Sequence, residues 1–354
     1  MQPPTFPHKE PIAMSSAHSK TIRWGIIGCG DVTEVKSGPA FQKVEGSALV
    51  AVMRRDGDKA RDYAQRHGVA KWYDDGQALV DDPDVDAVYV ATPPSSHKHY
   101  ALMAIAAGKP VYVEKPFAVD AAECEAIVAA GRAANVPVFV AYYRRMLPRF
   151  HKVRELLFDE RAIGTPRSVH HVHTAPHNPR YSDPQSSHWH VRPEISGGGL
   201  FVDIGCHTLN ILDWLFGPIT RASGHASNQR GSYPAEDSVA MAFAFGNGMV
   251  GTGLWNFDAL QRHDLTEVTG DAGRLSFATF GDGPIRLENA AGVREFHIEN
   301  PRTIQQPLIE TLVAELHGQP AACLDLAASG VRTTWVMDQV LRDYRRATGQ
   351  QIGL

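Results

Sequence analysis

The chain has 354 residues, 43% hydrophobic and 21% charged, which suits a globular protein of about two domains at ~150 residues each. A formal net charge of -4 argues against a nucleic-acid binder, which needs a basic face. No apolar run of about eighteen residues is present to form a transmembrane helix, so no membrane partner is expected.

Residues 1–20 mix prolines with polar residues and lack the apolar core of a signal peptide, so they read as a flexible tail. From Thr21 to Tyr143, short apolar runs alternate with helical stretches. The runs Ile22–Gly28, Ala48–Met53, Ala87–Ala91, Val111–Val113 and Val138–Ala141 read as strands. Gly57–His67, Ser96–Ala107 and Ala121–Ala134 read as the helices between them, with Gly108 and Gly131 near their ends. Continuous apolar strands interleaved with helices imply a parallel sheet covered on both faces. From Arg144 the pattern changes. A helix (Arg149–Phe158) precedes an alternating strand (Arg167–Thr174) and a polar loop (Ala175–His190). Ile219–Ala226, Ser238–Phe245, Met249–Phe257, Asp264–Thr269, Arg274–Thr279, Ile285–Glu288 and Val293–Ile298 read as strands, with a hairpin turn at Asn247-Gly248. Two helices close the chain, Gln305–His317 and Asp325–Ala347. The fold expected is α/β over 21–143, followed by α+β with a mostly antiparallel sheet over 144–354.

Three stretches carry chemistry. The first strand runs into Gly28-Cys29-Gly30-Asp31-Val32-Thr33, a turn that lets backbone amides approach a pyrophosphate. Thr33 replaces the usual third glycine, which predicts looser helix packing. The second strand ends at Arg54-Arg55, where an acid would hold ribose hydroxyls; two arginines suit a 2′-phosphate and favour NADP(H) over NAD(H). Asp56 and Asp58 lie close by and keep NAD(H) open. The second stretch is Glu114-Lys115-Pro116, after an apolar strand. The third is Gly197-Gly198-Gly199 leading to Asp203 and His207, four residues apart on an apolar helix and so on one face. Burying an acid and a histidine together costs free energy unless they pair or do chemistry.

With Thr92-Pro93-Pro94-Ser95-Ser96-His97 also in order, the chain resembles the glucose-fructose oxidoreductase/inositol dehydrogenase (Gfo/Idh/MocA) family from Thr21 to the C-terminus. The resemblance implies a Rossmann domain and a C-terminal domain whose open sheet joins copies into a homodimer or homotetramer. It also implies nicotinamide-dependent redox chemistry on a sugar, polyol or related compound. By resemblance, Lys115 is the active-site lysine, Asp203 and His207 its acid and histidine, Thr92, Pro93 and His97 a cofactor loop, and Trp189 a residue near nicotinamide and substrate. Tyr143 stands where many members have asparagine, and Arg192 where an acid is common.

Hydride transfer leaves or consumes a proton on the substrate oxygen, and histidine handles protons near neutral pH. His207 is the expected proton carrier, Asp203 the acid that orients its ring or holds a substrate hydroxyl, and Lys115 the group that polarises the oxygen. Proton transfer by Lys115, its pKa lowered beside the nicotinamide, is the alternative. Glu114 is expected to pair with Lys115 or face the cofactor ribose. Lys36 and Arg144 read either as groups that reach phosphate or substrate or as simple surface charge. His170, His171, His173, His177, His188 and His190 lack a zinc spacing, so they read as strand surface and pocket rim and no metal is expected. The four cysteines (Cys29, Cys124, Cys206, Cys323) are unpaired in spacing, as in a cytoplasmic protein. Two other functions fit the same pattern: transient oxidation by bound NAD(P) with elimination or glycoside cleavage, and a catalytically silent dinucleotide-binding regulator.

Overall fold

The computed structural model describes residues 21–182, 188–319 and 325–352, so the expected tail and Cys323 lie outside the described residues. Six short strands build the first sheet: β1 (Ile22–Ile27), β2 (Ser47–Met53), β3 (Lys71–Tyr73), β4 (Ala87–Val90), β5 (Val111–Val113) and β6 (Val138–Val140). All pair in parallel, in the order β3-β2-β1-β4-β5-β6. β4 and β5 are buried at every residue, as strands covered on both faces must be. The strand order reverses between β1 and β4, and ligands of open α/β sheets bind beyond the carboxyl ends at such a switch point. The strand β3 has no counterpart in the sequence reading. It is three residues at the sheet edge, half polar, and shows neither alternation nor an apolar run.

Between the strands lie α1 (Asp31–Val35), α2 (Gly38–Lys43), α3 (Gly57–His67), α4 (Gly76–Asp81), α5 (His97–Ala106) and α6 (Ala121–Ala134). Aspartates start three of them: Asp56, Asp75 and Asp120 each accept a backbone N–H of the first turn. Gly108 follows α5 as expected, with φ +71°. Gly131 is not a helix end. It sits inside α6, where a Cβ would meet Val138 Cγ2 at 2.5 Å, so it is the point of close helix–sheet contact; Asn135 ends the helix at φ 53°.

The second sheet comprises β7 (Pro166–Thr174), β8 (Ile219–Ser227), β9 (Ser238–Phe245), β10 (Val250–Asn256), β11 (His263–Gly270), β12 (Gly273–Phe277), β13 (Ile285–Asn289) and β14 (Gly292–Phe296), in the order β14-β13-β12-β11-β7-β10-β9-β8. Every pairing is antiparallel except β10 with β7. Five helices accompany it: α7 (Pro148–Arg154), α8 (Pro193–Ser196), α9 (Cys206–Phe216), α10 (Gln306–Leu316) and α11 (Leu326–Thr348). α11 lies against β8 and α9 on one side and β6 and α6 on the other, bracing the two sheets together. Arg345 of α11 ties that brace to the triple glycine, donating to Asp338 Oδ1 and the Gly197 carbonyl, each at 2.6 Å.

Candidate active site

The glycine turn leaves β1 at the switch point. Gly28 adopts φ +90°, and a Cβ there would meet Thr92 Cγ2 at 2.6 Å, so only glycine fits against the loop after β4. Gly30 faces open space, its nearest neighbour to a Cβ being Arg54 Nη1 at 3.8 Å, which leaves room for a phosphate chain. The expected looseness at Thr33 is not seen. Thr33 is fully buried, and its hydroxyl both receives the Gly30 N–H and donates to the Gly30 carbonyl at 2.9 Å. Asp31 is exposed and Val32 half-buried on the short α1, while Cys29 is buried and its carbonyl receives Arg54 Nη1 at 3.4 Å. Arg55 is exposed beside it. The turn thus leaves open space beside Gly30 at the switch point.

Lys115 stands at the carboxyl end of β5. Its Nζ donates to Asp203 Oδ1 at 2.5 Å and to the Asp203 carbonyl at 3.1 Å. A wide, π-type turn over Phe201–Gly205 carries Asp203 just before α9. One residue thus grips the ammonium by side chain and backbone together. Burial lowers the Lys115 pKa, but the adjacent Asp203 carboxylate outweighs it and holds the group above its ordinary value. Burial likewise works against the charged form of Asp203, yet Lys115 draws its carboxyl below the usual value. The acid expected to orient His207 instead serves the lysine.

His207 is 3% exposed, and its Nδ1 has no hydrogen-bond partner. Its ring stands edge-on to Tyr143 at 5.2 Å, Phe280 at 5.6 Å and Tyr142 at 6.4 Å. Burial first, then the charges of Lys115, Arg144 and Lys36, keep it neutral, well below its ordinary pKa. Tyr143 and Arg144 therefore belong to this wall. Arg144 lies 4.1 Å over the Phe280 ring and donates to the Thr279 carbonyl at 2.8 Å.

Among the described residues Glu114 forms no hydrogen bond or ion pair with the Lys115 side chain, which turns to Asp203 instead. The Glu114 carboxylate receives the Tyr89 hydroxyl at 2.5 Å, Gln305 Nε2 at 2.7 Å and the Lys115 backbone N–H at 3.0 Å. Gln305 also accepts from Tyr112 at 2.8 Å, and its own N–H donates to the Lys36 carbonyl at 3.2 Å. The carboxylate is thus a buried peg that sets the lysine's backbone. His97 is a second peg rather than a cofactor contact. It is fully buried, with Nε2 2.6 Å from the Thr92 carbonyl and Nδ1 3.0 Å from that of Pro116, joining the Thr92-Pro93 loop to the lysine loop.

Residues 22–142 match the family model described as "Oxidoreductase family, NAD-binding Rossmann fold", and residues 150–276 match the GFO/IDH/MocA C-terminal domain. An oxidoreductase of Formosa agariphila is 42% identical over 292 residues, covering 82% of this chain and 90% of that protein. The chain belongs to the Gfo/Idh/MocA family of NAD(P)-dependent oxidoreductases. A 1,5-anhydro-D-fructose reductase of Ensifer adhaerens is 28% identical, covering 85% of this chain and 90% of its own. A levoglucosan dehydrogenase solved with NADH and levoglucosan has the same fold, with a TM-score of 0.79 at 21% identity over 92% of this chain and 97% of that one.

In this Gfo/Idh/MocA chain the loop before α8 reaches the same site. His190 feels the Asp203 carboxylate and the Lys115 ammonium, although burial dominates and lowers its pKa to about 4. Trp189 stacks on His190 at 3.7 Å, and His188 Nδ1 lies 3.2 Å from His190 Nδ1. Arg192 is 42% exposed and pairs with Glu194 at 2.6 Å. His171 and His173 are not surface residues. Both are buried on the inner face of β7, His171 bonded to Thr266 at 2.9 Å and His173 against Phe280 at 5.6 Å, while His170 lies on the opposite, exposed face. Among the described residues no group of three or more His, Cys, Asp or Glu is placed to hold a metal. Phe280 itself escaped the sequence reading. It lies between β12 and β13, where Asp264 receives the N–H groups of Thr279, Phe280 and Gly281 and shapes the loop.

Proposed function

We propose that the protein moves a hydride between NADP(H) and a small polyhydroxylated alcohol or carbonyl compound, such as a sugar or polyol. The observation that carries this reading is the Lys115 ammonium gripped by Asp203, with neutral His207 close enough to feel its charge. A bound nicotinamide supplies the hydride acceptor or donor. In the oxidising direction Lys115 bonds the substrate oxygen and stabilises its alkoxide character, because Asp203 keeps the lysine protonated. His207, neutral, takes the hydroxyl proton. In reverse the proton returns to the oxygen from His207. The similarity to a 1,5-anhydro-D-fructose reductase supports a sugar-like carbonyl substrate.

The preference for NADP(H) rests on which side chains are free at the end of β2. Arg54 lies beside the glycine turn and Arg55 is exposed, while Asp56 caps α3 and pairs with Lys59 and Asp58 pairs with Arg61. Homo-oligomer formation through the second sheet is supported by an uncovered face with Val250 54% and Leu254 37% exposed. The buried free thiols Cys29, Cys124 and Cys206 support a cytoplasmic location. No helix among the described residues is long and apolar enough to cross a membrane. Screening NADP+ reduction and NADPH oxidation against sugars, inositols, keto-sugars and dihydrodiols tests the proposal, with Lys115→Met as the blank. Turnover that survives in the Lys115→Met protein would overturn the assigned chemistry.

A further inference from the structure

Several features of the His207 wall point to the charge of the substrate. Arg144 is 8% exposed and forms no ion pair among the described residues, whereas its neighbour Arg145 meets Asp325 at 2.6 Å. Asp203 serves Lys115, and the oxygens of Asp264 receive the N–H groups of Thr279, Phe280 and Gly281. Arg144 spends Nη1 on the Thr279 carbonyl, and its buried Nε has no hydrogen-bond partner among the described residues. Finally, Arg144 and His207 flank the same two rings, Tyr143 and Phe280. The charges acting on His207 are Lys115, Arg144 and Lys36, all positive, in a protein of net charge -4.

A buried cation without a counter-ion is costly, and the ring of Phe280 with one carbonyl compensates only in part. Beside a proton-handling histidine, the missing counter-charge is most economically brought by the substrate. We propose that the substrate is an anionic polyhydroxylated compound, its carboxylate or phosphate seated against Arg144 while its reacting oxygen meets Lys115 and His207. This rests on the redox reading of the site and adds the class of compound. A guanidinium recognises such oxygens through charge-assisted hydrogen bonds.

The test is calorimetric titration of the enzyme–NADPH complex with D-glucuronate and D-galacturonate, with glucose 6-phosphate and galactose 6-phosphate, and with glucose and galactose. At least one acid binds about tenfold or more tighter than its neutral counterpart, since a hydrogen bond to a charged group is worth roughly that factor or more. The better of the two acid pairs identifies carboxylate or phosphate as the anion. In Arg144→Met the preference falls to within about threefold, and in Arg144→Lys, which keeps the charge, part of it returns. Melting temperature and NADPH affinity monitor the fold of both variants. Neutral sugars binding as well as the acids, no binding of any acid at millimolar concentration, or an acid preference untouched in Arg144→Met would each overturn the proposal. Failure of NADPH and NADH to bind would strike the redox reading instead, and the same titrations without dinucleotide still report the acid preference.

Discussion

Replacing Asp203 by Asn removes the counter-ion of Lys115 while keeping an oxygen at the same place. The two side chains are 15% and 16% exposed, so the pair is largely out of water. Breaking a buried pair from one side costs roughly 3–5 kcal/mol. The residual exposure and the surviving Asp203 carbonyl place this case near about 3 kcal/mol. At the smallest response per kcal/mol for larger chains, that lowers the melting temperature by about 6 °C. The pH dependence has a definite sign. Lys115 is held above its ordinary 10.5, so its contribution is full below that pH and is lost as pH rises through the folded value. Asp203 is held below 3.8, so its contribution is full above that pH and is lost as pH falls through its folded value. With Asn at 203 the burial of Lys115 is no longer offset by that carboxylate, and its pKa drops. The alkaline limb of the rate profile, measured at saturating dinucleotide, then moves to lower pH. A variant that melts within about 1 °C of the parent and keeps the parent's alkaline limb would refute the pairing as the source of the lysine's charge.

Gln305→Ala removes a donor from Glu114 and an acceptor from Tyr112, so a loss of roughly 1–3 kcal/mol in thermal stability is expected. Its kcat falls more than its substrate affinity, and Gln305→Glu does not restore it, because a second carboxylate would face Glu114. Arg54→Ala weakens NADPH by about tenfold and leaves NADH within about twofold, read by tryptophan fluorescence titration; equal losses would remove the 2′-phosphate assignment. Glu236, 1% exposed, accepts the Gly199 N–H at 2.8 Å, and burial pushes its carboxyl up to about 7. Folding therefore holds its proton more tightly than the unfolded chain does. Its contribution is full below 4.5 and is lost as pH rises towards 7, so Glu236→Gln flattens the stability profile over that interval.

The regular parts of the molecule were readable because burial imposes period on sequence. Strands buried on both faces are continuous apolar runs, and α3 and α6 span the residues that the pattern assigns them. The principal site residues were readable for a related reason: a lysine, an acid and a histidine stand out against apolar neighbours. Their partners were not readable. Four-residue spacing joined Asp203 to His207, yet a lysine 88 positions upstream takes the acid. Glu114 and His97 looked like ligand contacts because polar residues at strand ends usually meet solvent or cofactor. Their bonds run instead to Gln305, Tyr89 and loop carbonyls, and no local rule connects residues 191 positions apart. Phe280 was hidden because an aromatic in a glycine-containing loop carries no period. The shape of its loop depends on Asp264, 16 positions earlier.

The contact between Gln305 and Glu114 bears on how chimeras of this fold must be assembled. The amide side chain comes from the far end of the polypeptide, yet it fastens the peg beneath the lysine. A grafted N-terminal half therefore arrives with Lys115 seated on a loosened support. Exchanging C-terminal halves between relatives is expected to succeed only when the stretch around residue 305 travels with the N-terminal part from which it came.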